Sequence, residues 1–476
     1  KVSGGFDYIT TGLMTKVERD EVEQRYFHAS GSDIFKHGTF NIATAPQWPA
    51  KDGNGMGTVN CLEEFLNTLR ERAGTNFLDE LKRGKSAILV HTAGDATRLF
   101  HARTMNNKPL IEILPGMSIM DAAIKQAQGM AIPGKVFVTW GDQAIFPASD
   151  TLQQDLEILS QKHQVLLFGI DYPADQFTPE DARSYGWQVI KDGYKVIGFD
   201  DTRDYDAIRK KIDALASAGH DVTIRWNMGS FALSAEVIEM FFDAFRPELE
   251  AKTGFFNSDE VWQAWLAKDR QTFIYEFSKG DAGKRKQAEY VWDKVDPIKQ
   301  KLVAKYGEEG LIASVGLGTK ADVPQFDFGT NMNYVNSLRK LLSDTQDGKV
   351  IREFLGLSVV TEGVVDHSVM KDSHAHSGRV VDSVLINAAI EEADIDHVVI
   401  QHSKINKVVG TNGFLFNVID DGIVEVGDNE MVFDVFHPHK GKLRFRFQLG
   451  VEQTGKDIWW SGVVGENPMS LEKLKE

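Results

Sequence analysis

The stretch HTAGDATRLFHARTMNNKPLIEI, residues 91–113, decides how the rest of the chain is read. An apolar run, AILV at 87–90, leads into it, and LIEI at 110–113 leaves it. Between the two stand one glycine (Gly94), a hydroxyl (Thr97), a guanidinium (Arg98) and, ten residues on, Lys108. Phosphate binding needs backbone N–H groups pointing into a concavity, a helix N-terminus and nearby cations. A buried strand feeding such a turn places it at the strand's C-terminal end, where open α/β sheets bind ligands. Taken alone the turn is weak evidence, because an ordinary strand-to-helix connection with Arg98 in solvent uses the same residues.

The flanking sequence alternates strand and helix. SIMDAAIKQAQGM (118–130) is an amphipathic helix with Ser118 as its N-cap. KVFVTWGD (135–142) is a strand ending in a turn, TLQQDLEILSQ (151–161) a helix and HQVLLFGI (163–170) a buried strand. This alternation predicts a largely parallel sheet covered on both faces. YGWQVIKDGYKVIGFDD (185–201) predicts a hairpin about Asp192-Gly193. Residues 232–310 are helix-rich, and LIASVGLG, the turn QFDFGT (325–330) and the helix NYVNSLRKLLSD follow. Upstream, residues 1–85 are mixed: a charged helix at 15–26, then a Gly-rich loop, DGNGMGT (52–58), ahead of a helix at 59–72. After residue 348 short apolar beats recur every five or six residues, as in VLINAAIEEADIDHVVIQHSKI (384–405). That texture predicts stacked β-rungs.

With 476 residues the chain has room for two or three domains. Its net charge of −16 argues against a general nucleic-acid or anionic-membrane binder. A local cationic pocket would still admit an anionic small substrate. The single cysteine, Cys61, sits in an apolar helix and reads as a small core residue. One cysteine allows no intrachain disulfide, which fits a reducing compartment. No apolar run approaches the ~18 residues of a membrane span, and KVSGGFDYITTGL lacks a signal-peptide core. The expectation is a cytoplasmic protein.

Three features reinforce the turn at 93–98. Lys108 precedes Pro109, which holds it in extended backbone near the same sheet edge. Asp142 lies just past one strand, and Asp327 just before a Gly-Thr turn and helix. Two carboxylates at strand ends would hold Mg2+, a hard cation that favours oxygen ligands and phosphate partners. Each aspartate alone is an ordinary turn former. The order of all four features carries more weight than any one.

That order resembles the sugar-1-phosphate nucleotidyltransferases, whose signature is a Gly-rich turn ending in Thr-Arg followed by Lys-Pro. TRL at 97–99, NKPLIEI at 107–113, WGD at 140–142, YGWQVIKDGYKVIGF, WNMGSFALSAEVIEMF and FDFGT each resemble a family segment. GNGMGT (53–58) ahead of HTAGDATR (91–98) is most similar to the GDP-fucose pyrophosphorylases, often fused to a fucokinase. The resemblance covers about residues 50 to 420 and includes no Gly-rich kinase signature.

It implies a Rossmann-like α/β domain of GT-A type at 1–350, with 1–85 as an N-terminal extension, and a β-helix-like all-β domain at 351–476. The implied reaction joins an NTP and a sugar 1-phosphate into an NDP-sugar and pyrophosphate. Arg98 and Lys108 would be catalytic. Gly53, Asn54, Gly55, Thr58, Ala93, Gly94, Asp95 and Thr97 would bind the nucleotide. Tyr185, Gly186, Asn227 and Gly229 would contact the sugar, and Asp142 and Asp327 would hold Mg2+. The partners are the NTP and the sugar 1-phosphate, with no nucleic acid or membrane; a homo-oligomer is compatible with this reading.

Three departures stand out. Ala93 and Ala96 replace glycines usual in the broader family. Asp95 puts a carboxylate among phosphates, and Arg203 stands where a Glu-Lys pair often follows the hairpin. Two rival classes stay open: a catalytically silent nucleotide-sugar-binding regulator, which the alanines favour, and a glycosyltransferase, which would usually show a D-x-D metal motif late in the first half, where the TWGDQ strand end has a single Asp. Outside the resemblance, His367, His374 and His376 form H-x6-H-x-H, a spacing that matches no standard zinc site and reads first as a polar loop. HPHK (437–440) is equally bland. Trp262 and Trp265 read as helix packing. Tyr185 and Trp187 share a strand face, in the sugar pocket, in the core or on the surface.

Overall fold

The protein is described by a computed structural model at residues 4–13, 15–28, 38–45, 48, 53–92, 99, 110–184, 186–200, 204–454 and 456–475. It divides into two compact units. One comprises Lys1–Ala93, Ile124–Gly141 and Phe146–Val323; the other comprises Gly94–Ala123, Asp142–Ile145 and Pro324–Glu476. Among the described residues each unit holds one nine-stranded sheet. Their strands are numbered here in chain order.

The first unit is mixed α/β. Its strands are β1 (Tyr8–Gly12), β2 (Phe40–Thr44), β3 (Ala87–His91), β4 (Lys135–Trp140), β5 (Val165–Tyr172), β6 (Trp187–Lys191), β7 (Lys195–Asp200), β8 (Val222–Ser234) and β9 (Ile312–Thr319). They lie in the order β2-β1-β3-β4-β8-β5-β9-β7-β6. The neighbours β2/β1, β1/β3, β3/β4 and β5/β9 are parallel, as the strand–helix alternation predicts. In contrast, β8 runs antiparallel to β4, β5 and β6. The hairpin accounts for this. Asp192 and Gly193 both take positive φ at its turn, so β7 leaves reversed, and the helix Tyr205–Ser217 then crosses over to β8 without changing direction.

Polar side chains set the helix starts. Thr15 and Glu18 form a reciprocal cap on Lys16–His28. Ser118 and Asp121 do the same where Ile119–Ala127 begins. Asp204 and Ser234 cap Tyr205–Ser217 and Ala235–Ala244. The core is aromatic, with Phe245 stacked on Phe256 and Phe65 edge-on to Phe77. Trp262 and Trp265 are buried in it, in contact with each other, and Cys61 is buried there too.

Residues 53–58 differ from the expected loop, since they open the helix Gly53–Ala73. The N–H groups of Gly55 and Met56 both donate to Phe256 O, which satisfies donors that a helix start leaves free. Ser258 N donates to Asn54 Oδ1 and Asn54 N to Asn257 Oδ1. Gly53 has φ +73, and a Cβ there would lie 2.5 Å from Phe256 O; one on Gly55 would overlap the Phe256 ring. These glycines let the helix start press against the Phe256 segment.

In the second unit the sheet comprises β10 (Val359–Glu362), β11 (Val365–Lys371), β12 (His374–Val381), β13 (Val384–Asp396), β14 (Val399–Thr411), β15 (Phe414–Phe416), β16 (Ile419–Val426), β17 (Glu430–His437) and β18 (Gly441–Gln448). Its first and last pairs, β10/β11 and β17/β18, are antiparallel. Between them the pairing is parallel and keeps an offset of fifteen residues through Val369, Val384, Val399 and Phe414. The same offset joins His374, Ala389, Lys404 and Ile419. Leu385, Ile400 and Leu415 repeat inside, fully buried.

Candidate functional site

His91 ends β3 and is buried. Thr58 Oγ1 donates to Asn54 O at 2.8 Å, so the 2.8 Å contact between Thr58 Oγ1 and His91 Nε2 places a proton on Nε2. Burial pushes the His91 pKa down to about 4, so the ring is neutral near pH 7. It lies 5.4 Å from the Trp140 ring at the end of β4. Around it the strand ends are tied together: Thr92 N and Oγ1 donate to Gly12 O, and Gly141 N donates to His91 O. A Cβ on Gly12 would lie 2.8 Å from Cys61 Sγ. Thr58, expected at the nucleotide, spends its hydroxyl on Asn54 and His91.

Asn227 and Gly229 sit where the register of β8 against β5 shifts, between Asn227 and Phe231. Gly229 has φ +70, and a Cβ there would lie 2.5 Å from Trp140 Nε1. Asn227 Oδ1 accepts from Gly229 N and from Gln188 Nε2, and Gln188 Oε1 accepts from Ser314 Oγ. The Asn-x-Gly segment is thus a rigid bulge, braced through Gln188. Gly186 contributes its carbonyl, which accepts from Asn227 N. One alternation earlier on β8, Arg225 pairs with Asp171 at 2.6 Å and donates to Ser314 O and Gly193 O. Sequence reasoning passed over Arg225, Gln188 and Trp140. The alternation in IRWNM, with Arg225 and Asn227 two residues apart, was the available signal. Trp187 is a core residue, packed on Phe177 and Tyr172.

In the second unit the short strands Gln143–Ile145 and Gln325–Asp327 pair antiparallel. Phe328 N donates to Asp142 O, which fixes the two turns side by side. Asp327 Oδ1 accepts from Gly329 N at 2.7 Å, and Oδ2 accepts from Asn333 Nδ2 at 2.6 Å. Thr330 caps the helix Asn331–Arg339 that follows. A Cβ on Gly329 would lie 3.0 Å from Asp327 Oδ1 and 3.6 Å from Asp142 Oδ2. Two carboxylates 185 residues apart in sequence therefore face one small opening that the missing side chain leaves. An all-oxygen donor pair of this kind suits a hard divalent cation.

Ala93, Gly94, Asp95, Ala96, Thr97, Arg98, Lys108, Tyr185 and Arg203 lie outside the described residues. The H-x6-H-x-H set divides: the rings of His374 and His376 are 4.8 Å apart, while His367 pairs with Asp382. No described helix is long and apolar enough to cross a membrane.

No family model matches the chain, and no curated protein does. A solved structure described as a mannose-1-phosphate geranyltransferase from Thermus thermophilus is similar over 92% of this chain and 94% of that one, at 12% identity and a TM-score of 0.25. A likeness that loose carries no argument about this chain's chemistry.

Proposed function

We propose that the chain is a Mg2+-dependent sugar-1-phosphate nucleotidyltransferase, forming an NDP-sugar and pyrophosphate from an NTP and a sugar 1-phosphate. The observation that carries this reading is the convergence of Asp142 and Asp327 on the opening at Gly329. The order of TRL, KP, WGD and FDFGT along the chain supports it. Asp142 and Asp327 would hold the ion, which when bound neutralises charge on the reacting phosphates. A sugar phosphate oxygen attacks the α-phosphorus and pyrophosphate leaves, so the work of the protein is positioning and charge complementarity. Arg98 would clamp the leaving phosphates, and Lys108 would neutralise charge at the α-phosphorus, as the resemblance implies. Asn227 and Gly229, on their braced bulge, orient the sugar. Guanine and fucose remain the specific substrates of choice from the resemblance of GNGMGT and HTAGDATR. A β-helix-like reading of the C-terminal strands belongs to the same proposal, supported by the fifteen-residue parallel offset from β11 to β15; the offset lengthens to sixteen past the register shift of β14 on β16 and to seventeen in β15/β17, and the antiparallel pairs β10/β11 and β17/β18 stand outside the pattern.

The test is pyrophosphate release from a panel of NTPs and sugar 1-phosphates, with Mg2+ and with EDTA. Mg2+-dependent release supports the reading. NDP-sugar binding without release would instead favour a silent regulator, the reading suggested by Ala93 and Ala96.

A further inference from the structure

A second cluster of metal-ligating side chains in the same unit has no role in the nucleotidyl transfer proposed above. His367, Asp382, His397 and Asn412 stand fifteen residues apart and all take positive φ, from 42° to 56°. Backbone hydrogen bonds stack these turns: Asp382 N to Asp366 O, His397 N to Val381 O and Asn412 N to Asp396 O. Each turn needs a left-handed residue, which Gly, Asn, Asp or His supplies at least cost. The backbone does not choose among those four. Here the choice of His, Asp and His builds a column of nitrogen and carboxylate ligands.

His367 Nδ1 pairs with Asp382 Oδ1 from the turn below. His397 places Nε2 3.9 Å from Asp382 Oδ2 and Nδ1 2.5 Å from Asp396 Oδ1. Among the described residues, Asp382, Asp396 and His397 form a group whose ligand atoms all lie within 4.8 Å of one another. We propose that these three residues bind one divalent transition-metal ion of the Zn2+ class. Imidazole with carboxylates suits such ions. Ligand atoms on a tetrahedral zinc stand about 3.3 Å apart, so small rotamer changes close the site. All three side chains reach solvent, which lets the ion enter and water complete its shell. His367, on the other oxygen of Asp382, fixes that carboxylate's orientation. Because Asp382 and His397 belong to successive fifteen-residue repeats, the ion cross-links them.

The test uses the full chain, stripped with EDTA and titrated with Zn2+ by calorimetry and by thermal melting. Asn412 shows that asparagine satisfies the same turn, so His397→Asn and Asp382→Asn preserve the backbone. The titrations are run in the Asp142→Asn/Asp327→Asn background, which removes the other proposed cation site. The expected result is one Zn2+ per chain and a raised melting temperature, with affinity at least tenfold weaker when His397→Asn or Asp382→Asn is added. Adding His374→Asn/His376→Asn should leave binding as it is in that background. Three results would each overturn the proposal: no stoichiometric binding in the background, unchanged binding on adding His397→Asn or Asp382→Asn, or loss of binding on adding His374→Asn/His376→Asn.

Discussion

Replacing His91 with glutamine should remove a specific part of the protein's acid sensitivity. His91 titrates near 6.5 in an unfolded chain and at about 4 in the folded protein, because burial disfavours its charged form. Between those values the unfolded state binds a proton that the folded state refuses. Stability from this group is therefore complete above pH 6.5, falls as the pH drops toward 4, and levels off below that. At about 1.4 kcal/mol per pH unit the full swing is about 3 kcal/mol. Glutamine cannot titrate, and its amide N–H reaches toward Thr58 Oγ1 in place of Nε2. Urea unfolding of wild type and His91→Gln at intervals from pH 7.5 to 4 measures the difference directly. Burial also lowers His163 and His402, but both occur in the two proteins and cancel. Wild type should lose about 3 kcal/mol of its advantage over the variant across this range. Parallel stability curves would refute the neutral, buried assignment of His91.

Gly229→Ala should destabilise the first unit by about 2–4 kcal/mol, combining a left-handed alanine with displacement of the Trp140 indole; a change under about 0.5 kcal/mol in urea unfolding would contradict the bulge geometry. Arg225→Met leaves Asp171 and two carbonyls without their donor and should cost about 3 kcal/mol. Asp171→Asn added to it should recover part of that loss, and a fully additive double variant would argue against coupling. Gly329→Ala, at a position without positive φ, should change stability by under about 1 kcal/mol. It should nevertheless raise the Mg2+ concentration needed for half-maximal turnover about tenfold, because the methyl enters the opening between Asp327 and Asp142; an unchanged Mg2+ requirement would move the ion elsewhere.

Local chemistry was readable where a pattern is short-range. The hairpin at Asp192-Gly193 and the Ser118 cap both follow from neighbouring residues. Long-range facts were not readable. The glycines at 53 and 55 look alike whether they cradle a phosphate or press on Phe256, some two hundred residues away. The strands β1 and β2, short and embedded in mixed sequence, gave no sign that they extend the main sheet beside β3. The direction of β8 depends on counting one hairpin reversal, which strand–helix alternation ignores. In the C-terminal strands the inward apolar residues do recur at fifteen, as in Val384, Val399 and Phe414, but shorter apolar beats within each repeat mask that period, and the turn residues vary. The left-handed positions read His, Asp, His, Asn in one series and Asp, Asn, His, Asn in the other.

The most direct test of nucleotidyl transfer at the Asp142–Asp327 pair is the rate of pyrophosphate release at saturating NTP, sugar 1-phosphate and Mg2+. Wild type, Asp142→Asn and Asp327→Asn should be compared at equal folded concentration. The account predicts Mg2+-dependent release by wild type and a loss of at least a hundredfold in each variant, about 3 kcal/mol of transition-state stabilisation. Release from the variants at the wild-type rate, or none from wild type with any NTP and sugar 1-phosphate, would contradict it.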